Sequence, residues 1–178
     1  LVMDEKYVMP LYGKQTKAVL MKSCPFDIND FTGYCVLTSM FLYNYNSTGS
    51  YQRLVYTEKH PTEPNTIICR NWINDGYDVT MTFNASDPMK PFVTMDKGQV
   101  ASDEGSFFGI SYGDDKLLVT HSSLNESIFY PCGRYMFIWT EMYVENLGVP
   151  VGTVGHFYNI MEWVSDEEAD RLKREEGM

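Results

Sequence analysis

Tyr77-Asp78-Val79-Thr80-Met81-Thr82-Phe83 alternates without a break, with Asp78, Thr80 and Thr82 set against Tyr77, Val79, Met81 and Phe83. A period of two places successive side chains on opposite faces of a strand, so this stretch predicts a strand with one apolar and one wet face. Asn74-Asp75-Gly76 ahead of it is a turn signal. Working upstream, Thr66 to Ile73 is apolar, Tyr51 to Glu58 alternates and stops at His60-Pro61, and Tyr34 to Tyr45 is a long β-branched and aromatic run closed by Asn46-Ser47-Thr48-Gly49. Lys17 to Lys22 reads as a further short strand, Cys24 to Asp30 as a loop and residues 1–16 as an N-terminal arm. Downstream, strands are predicted over Pro91 to Asp96, Phe107 to Tyr112, Lys116 to His121 and Arg134 to Val144. Gly113-Asp114-Asp115 reads as a hairpin turn between two of them. One helix follows over 165–176, with Ser165 as N-cap, Glu168 completing a capping box and Gly177 as the stop. Short strands at close spacing with a single terminal helix predict an all-β chain: an eight-stranded up-and-down antiparallel barrel with a C-terminal helix. Residues 1–178 read as one domain.

Composition narrows the function. Aromatic residues make up 15% of the chain, which suits strands wrapped around a large apolar interior. The formal net charge of -10 repels phosphate, so nucleic acid and anionic membrane are poor partners. No stretch reaches the roughly 20 apolar residues of a membrane-spanning helix. Cys24, Cys35, Cys69 and Cys132 have no Cys-x-x-Cys or Cys/His spacing, and His60, His121 and His156 stand far apart and read as surface residues, so no metal is predicted. Asn46, Asn84 and Asn125 each open an Asn-x-Ser/Thr sequon beside turn residues. With four unclustered cysteines, these sequons predict a secreted, disulfide-bonded glycoprotein, and the lack of a leader is read as its removal. Phosphate-cradling glycine loops and His-Glu-x-x-His are absent, and the chain is read as non-enzymatic, without a cofactor.

Two blocks resemble a known family. The first is Gly33-Tyr34-Cys35-Val36 leading to Asn46-Ser47-Thr48-Gly49; the second runs from Phe108-Gly109-Ile110-Ser111-Tyr112 to Leu118, through Pro131-Cys132 and Ile138-Trp139, to Tyr143 and Phe157-Tyr158-Asn159-Ile160. Their order and spacing are similar to those of the tick salivary lipocalins, the family of the histamine-binding and japanin-like proteins. The resemblance covers about two-thirds of the chain, without the usual lipocalin Gly-x-Trp. It implies a lipocalin barrel that sequesters or carries a small apolar ligand, such as a sterol, fatty acid or lipid mediator, and modulates host immune or inflammatory responses. Amine-binding members pair an ammonium with acids in the barrel; Phe137 stands where one such acid belongs, and Tyr77, beside Asp78, near the other. Those aromatics favour the apolar ligand. The alternatives are a histamine or serotonin scavenger using Asp78, Asp96 and Glu141, and a module binding a host immune protein or cell through exposed Trp72 or Trp163.

Phe137, Trp139, Glu141 and Tyr143 share one face of a strand, and Phe108, Ile110 and Tyr112 share one face of another. Read alone, these are core positions; with the resemblance they become ligand contacts, joined by Phe41, Tyr43, Tyr56, Phe83 and Phe92. Family members tie the cysteines at the start of the second strand and before the last strand to cysteines further along. Here the matching late position is Met161. Adjacency in an up-and-down barrel then favours Cys24–Cys132 and Cys35–Cys69.

Overall fold

The structure, a computed structural model, describes residues 24–45, 50–103 and 116–178. The readings of Leu1 to Lys22, Asn46, Phe107 to Tyr112 and Gly113-Asp114-Asp115 lie outside them. Asp27 accepts from the Asn29 amide to start a 3-10 turn at Ile28–Phe31. There follow β1 (Gly33–Ser39), α1 (Met40–Tyr45), β2 (Gln52–Lys59), β3 (Thr66–Arg70), β4 (Val79–Asn84), β5 (Phe92–Thr94) and β6 (Gln99–Ser102). The chain continues through β7 (Leu117–His121), β8 (Ile128–Tyr130), β9 (Tyr135–Asn146), β10 (Val149–Trp163) and α2 (Asp166–Glu176).

Every pairing is antiparallel, in the order β10-β1-β2-β3-β4-β5-β8-β9, and β9 closes the ring by pairing with β10. This is an eight-stranded up-and-down barrel with a C-terminal helix, as the sequence predicts. Two of its walls are built from paired short strands. β8 and β7 lie end to end along β9, through Ile128↔Phe137 and His121↔Thr140. β5 pairs with β4, and β6 continues alongside, where the Gln99 side chain accepts from the Thr80 amide at 2.6 Å.

Four elements differ from the sequence reading. The long strand expected over Tyr34 to Tyr45 breaks at Ser39, whose hydroxyl accepts from the Leu42 amide and turns the chain into α1. The strand expected to be last is β9; the closing strand is the 15-residue β10, joined to it by a turn in which Leu147 and Gly148 both take positive φ. Pro150, Gly152 and Gly155 interrupt its alternation, and the register shifts at both places. β6 and β8 are short additions.

The interior is mainly apolar, with Ser39, Thr140 and Asn159 buried among the hydrophobic side chains. Inward positions such as Leu37, Ile67, Met81, Met136, Ile138 and Met161 are 0% exposed. Phe26, Phe31, Phe83, Phe129 and Trp163 interlock at one end with ring centroids 4.8–6.1 Å apart. The Trp163 indole donates to Thr57, whose hydroxyl donates to the Phe31 carbonyl, so two buried polar groups satisfy each other. α2 begins as predicted, with Ser165 accepting from the Glu168 amide, but the Glu168 carboxylate turns to Arg171. Its buried residues are Ala169 and Leu172, and Lys173 sits over the outward Tyr34 ring of β1. No described helix is long and apolar enough to cross a membrane.

Candidate functional site

The four cysteines divide into a bridge and two thiols. Cys24–Cys132 forms as expected. The expected Cys35–Cys69 bridge does not: both are buried thiols. β2 stands between them, since Cys35 pairs with Val55 and Thr57 pairs with Cys69. Strands two apart are separated by roughly 9–10 Å, beyond the Cα distance a disulfide spans. Burial pushes both thiols well above their ordinary range.

The predicted ligand contacts among the described residues do not converge on one inward cavity. Met136, Ile138 and Met142 of β9 point inward, so Phe137, Trp139, Glu141 and Tyr143 share the outer face. Phe41 and Phe83 are core residues, packed against Phe157 and against Phe31. Tyr43 and Tyr56 are exposed, and Tyr56 meets Tyr34 across β1 and β2. Phe92 is exposed on β5; Phe108, Ile110 and Tyr112 lie outside the described residues. Trp72 and Trp163, considered as exposed anchors, are buried. Trp139 is the indole on the outer wall.

That wall carries a run of rings. Tyr130 stacks on Tyr135 at 4.6 Å, Tyr135 meets Phe137 at 5.6 Å, Phe137 stacks on Tyr158 at 5.6 Å, and Trp139 meets Tyr158 at 5.2 Å. The cross-strand pairs among them, Tyr130–Tyr135, Phe137–Tyr158 and Trp139–Tyr158, stabilise the sheet by about 0.5–1 kcal/mol each.

Beyond the ladder, on the same outer face, lies a cleft of about 630 Å³, within the range of small-molecule sites. It sits where the wall changes from β5 to β6, and Met95, Asp96 and Lys97 form one side. His121 Nδ1 lies 2.8 Å from the Met95 carbonyl, and the Thr120 hydroxyl donates to the same oxygen, which fixes the loop against β7. Glu141 and Tyr143 form the floor, two residues apart on β9. The Thr153 hydroxyl of β10 donates to Glu141 Oε1 at 3.0 Å and orients the carboxylate. The Tyr143 hydroxyl accepts from the Gly98 amide at 2.9 Å, while its burial raises its pKa. Lys97 Nζ stands 5.8 Å from the centre of the Tyr143 ring, an ammonium on an aromatic face.

Of the three acids considered for an amine, the cleft unites Asp96 and Glu141. Asp78 is committed elsewhere, paired with Arg70 and accepting from the Asn71 amide. Lys97, Thr153 and the tethering His121 have no signature in sequence; only the turn around Gly98, with φ of 90°, hints at a loop standing off the wall. His156 Nδ1 lies 2.8 Å from the Ser122 hydroxyl, which also accepts from the Leu124 amide, so this serine is a loop cap. Among the described residues no group of His, Cys, Asp and Glu fits a metal. Of the sequons, Asn84 ends β4 with its side chain accepting from Ser86, and Asn125 is exposed.

Residues 11–175 match the model of a family described as a domain of unknown function, DUF4984. The chain belongs to that family. No curated protein and no solved structure matches it. One catalytic spelling occurs, Gly109-Ile110-Ser111-Tyr112-Gly113, outside the described residues.

Proposed function

We propose that the protein is a non-enzymatic binding module that takes a small amine in the cleft on its outer wall. The observation that carries this reading is the convergence of Asp96, Glu141 and the Tyr143 ring on one cleft. Carboxylates and an aromatic face attract an ammonium together. Glu141 and Glu145 both act electrostatically on Tyr143, so the acids about the ring outnumber Lys97. Lys97 already occupies the ring, in the way a ligand ammonium would.

Calorimetry with phenethylamine tests the reading. Glu141→Gln weakens binding about five- to tenfold, the worth of one charge pair in a partly exposed site. Lys97→Ala tightens it, because a competing ammonium is gone. Unchanged affinity in both variants refutes the assignment.

A second reading places an apolar ligand, a sterol or fatty acid, on the barrel. The exposed rings of the outer ladder favour it, whereas the inward side chains of the described strands already pack on one another. Organic extraction of the purified protein followed by mass spectrometry distinguishes the two. Secretion and glycosylation belong to the same proposal: the Cys24–Cys132 bridge suits an oxidising compartment, and Asn125 of the Asn125-Glu126-Ser127 sequon is exposed. Kinship with the tick salivary lipocalins, and action on a host immune protein or cell, rest on the two sequence blocks alone.

A further inference from the structure

The amine cleft does not end at its acids. His121 and Ser123 also line a second cleft of about 310 Å³, under the loop that bridges β7 and β8. The two therefore meet along one ridge and form a trough on the outer wall. Asp96 and Glu141 stand at one end; at the other, among polar residues that include Asn125 and Glu126, Phe92 and Leu124 are left 37% and 70% exposed. Large apolar side chains left that open beside a charged cleft match a ligand with one charged and one greasy end.

We infer that the trough takes an amphipathic amine, its ammonium held at Asp96 and Glu141 and its apolar tail laid across the His121–Ser123 ridge onto Phe92 and Leu124. The inference rests on the amine reading and adds the tail. The loop carrying Leu124 is held in place by polar bonds that leave this leucine outward: Ser122 accepts from the Leu124 amide, and Ser127 accepts from the Trp139 amide at 2.9 Å. A tail on this surface buries apolar area on the ligand and on both side chains, so affinity grows with each methylene until the surface is covered.

The test is a series of linear alkylamines from ethyl to decyl, kept below their micellar concentrations. It is measured by calorimetry on chains made without glycan: the wild type, Leu124→Ser and Phe92→Ser/Leu124→Ser. Affinity is expected to rise roughly two- to fourfold per methylene and then level off. In Leu124→Ser and the double variant the slope flattens while ethylamine binds as before. Leu124→Ser changes an exposed loop position, so it keeps the test open if the double variant fails to fold. Equal slopes in wild type and variants, or a flat wild-type series with ethylamine bound, overturn the tail and leave the amine reading standing. If no alkylamine binds, both fall. Octanol tests the charged end: an alcohol binding as tightly as octylamine also overturns the inference.

Discussion

Cys35 and Cys69 show how much one side chain's surroundings decide. Each is fully enclosed, and desolvation raises both thiols first, with Cys69 adding to it at Cys35 and Asp78 adding to it at Cys69. The thiolate is the reactive form, so neither cysteine is expected to react with iodoacetamide in the native protein at pH 8, and both should react after unfolding. Mass spectrometry before and after denaturant checks this. The same burial gives an alkaline limit. In the unfolded chain the thiols ionise near pH 8.5; in the folded chain they stay protonated far above it. Above that pH the folded state holds more protons, so stability falls as pH rises, by up to about 1.4 kcal/mol per thiol per pH unit. Replacing either cysteine by Ala removes its share of that slope in urea titrations at pH 8, 9 and 10, whatever it does to stability at pH 7.

At the scale of elements, a cap is the cheapest handle. Ser165→Ala removes the bond to the Glu168 amide and costs about 1 kcal/mol locally. Amide exchange in α2 should speed up about fivefold while that of the barrel strands stays put. This helix was legible because Ser165 and Gly177 mark both ends. β4 was legible because its outward Thr80 and Thr82 differ in chemistry from its inward Val79, Met81 and Phe83. On β9 that contrast is missing: Met136, Ile138 and Met142 face inward, and Phe137, Trp139 and Tyr143 outward. Alternation says which residues share a face and, when both sets are apolar, not which face is core. That is why the ladder reads as interior in the sequence. β10 was hidden for a different reason, its proline, glycines and bulges. α1 was hidden because Met40 to Tyr45 has strand-like composition and only the Ser39 hydroxyl redirects it. Of the amine cleft, the acids were visible and their company was not, since a cleft between a loop and two strands is made by register.

Over the whole molecule, the Cys24–Cys132 bridge ties the segment before β1 to the turn after β8, a separation of 108 residues. Closing so long a loop lowers the entropy of the unfolded chain by the equivalent of about 3–5 kcal/mol. The Cys24→Ala/Cys132→Ala variant should lose that much in denaturant titrations, with spectra of the folded state unchanged. A loss under 1 kcal/mol contradicts this account of the bridge. The barrel closes through β10, which pairs with β9 on one side and with β1 on the other. Translation delivers these partners in a fixed order. β1 leaves the ribosome early and pairs with β2 at once, but its other edge waits for Asn159 to Trp163, more than a hundred residues later. Until then a nascent chain presents an open sheet with an unsatisfied backbone edge, the species most prone to pairing with a neighbour. A polysome crowded with such chains is where this protein is most exposed to misassembly, and a holdase acting during synthesis protects it at the step that matters.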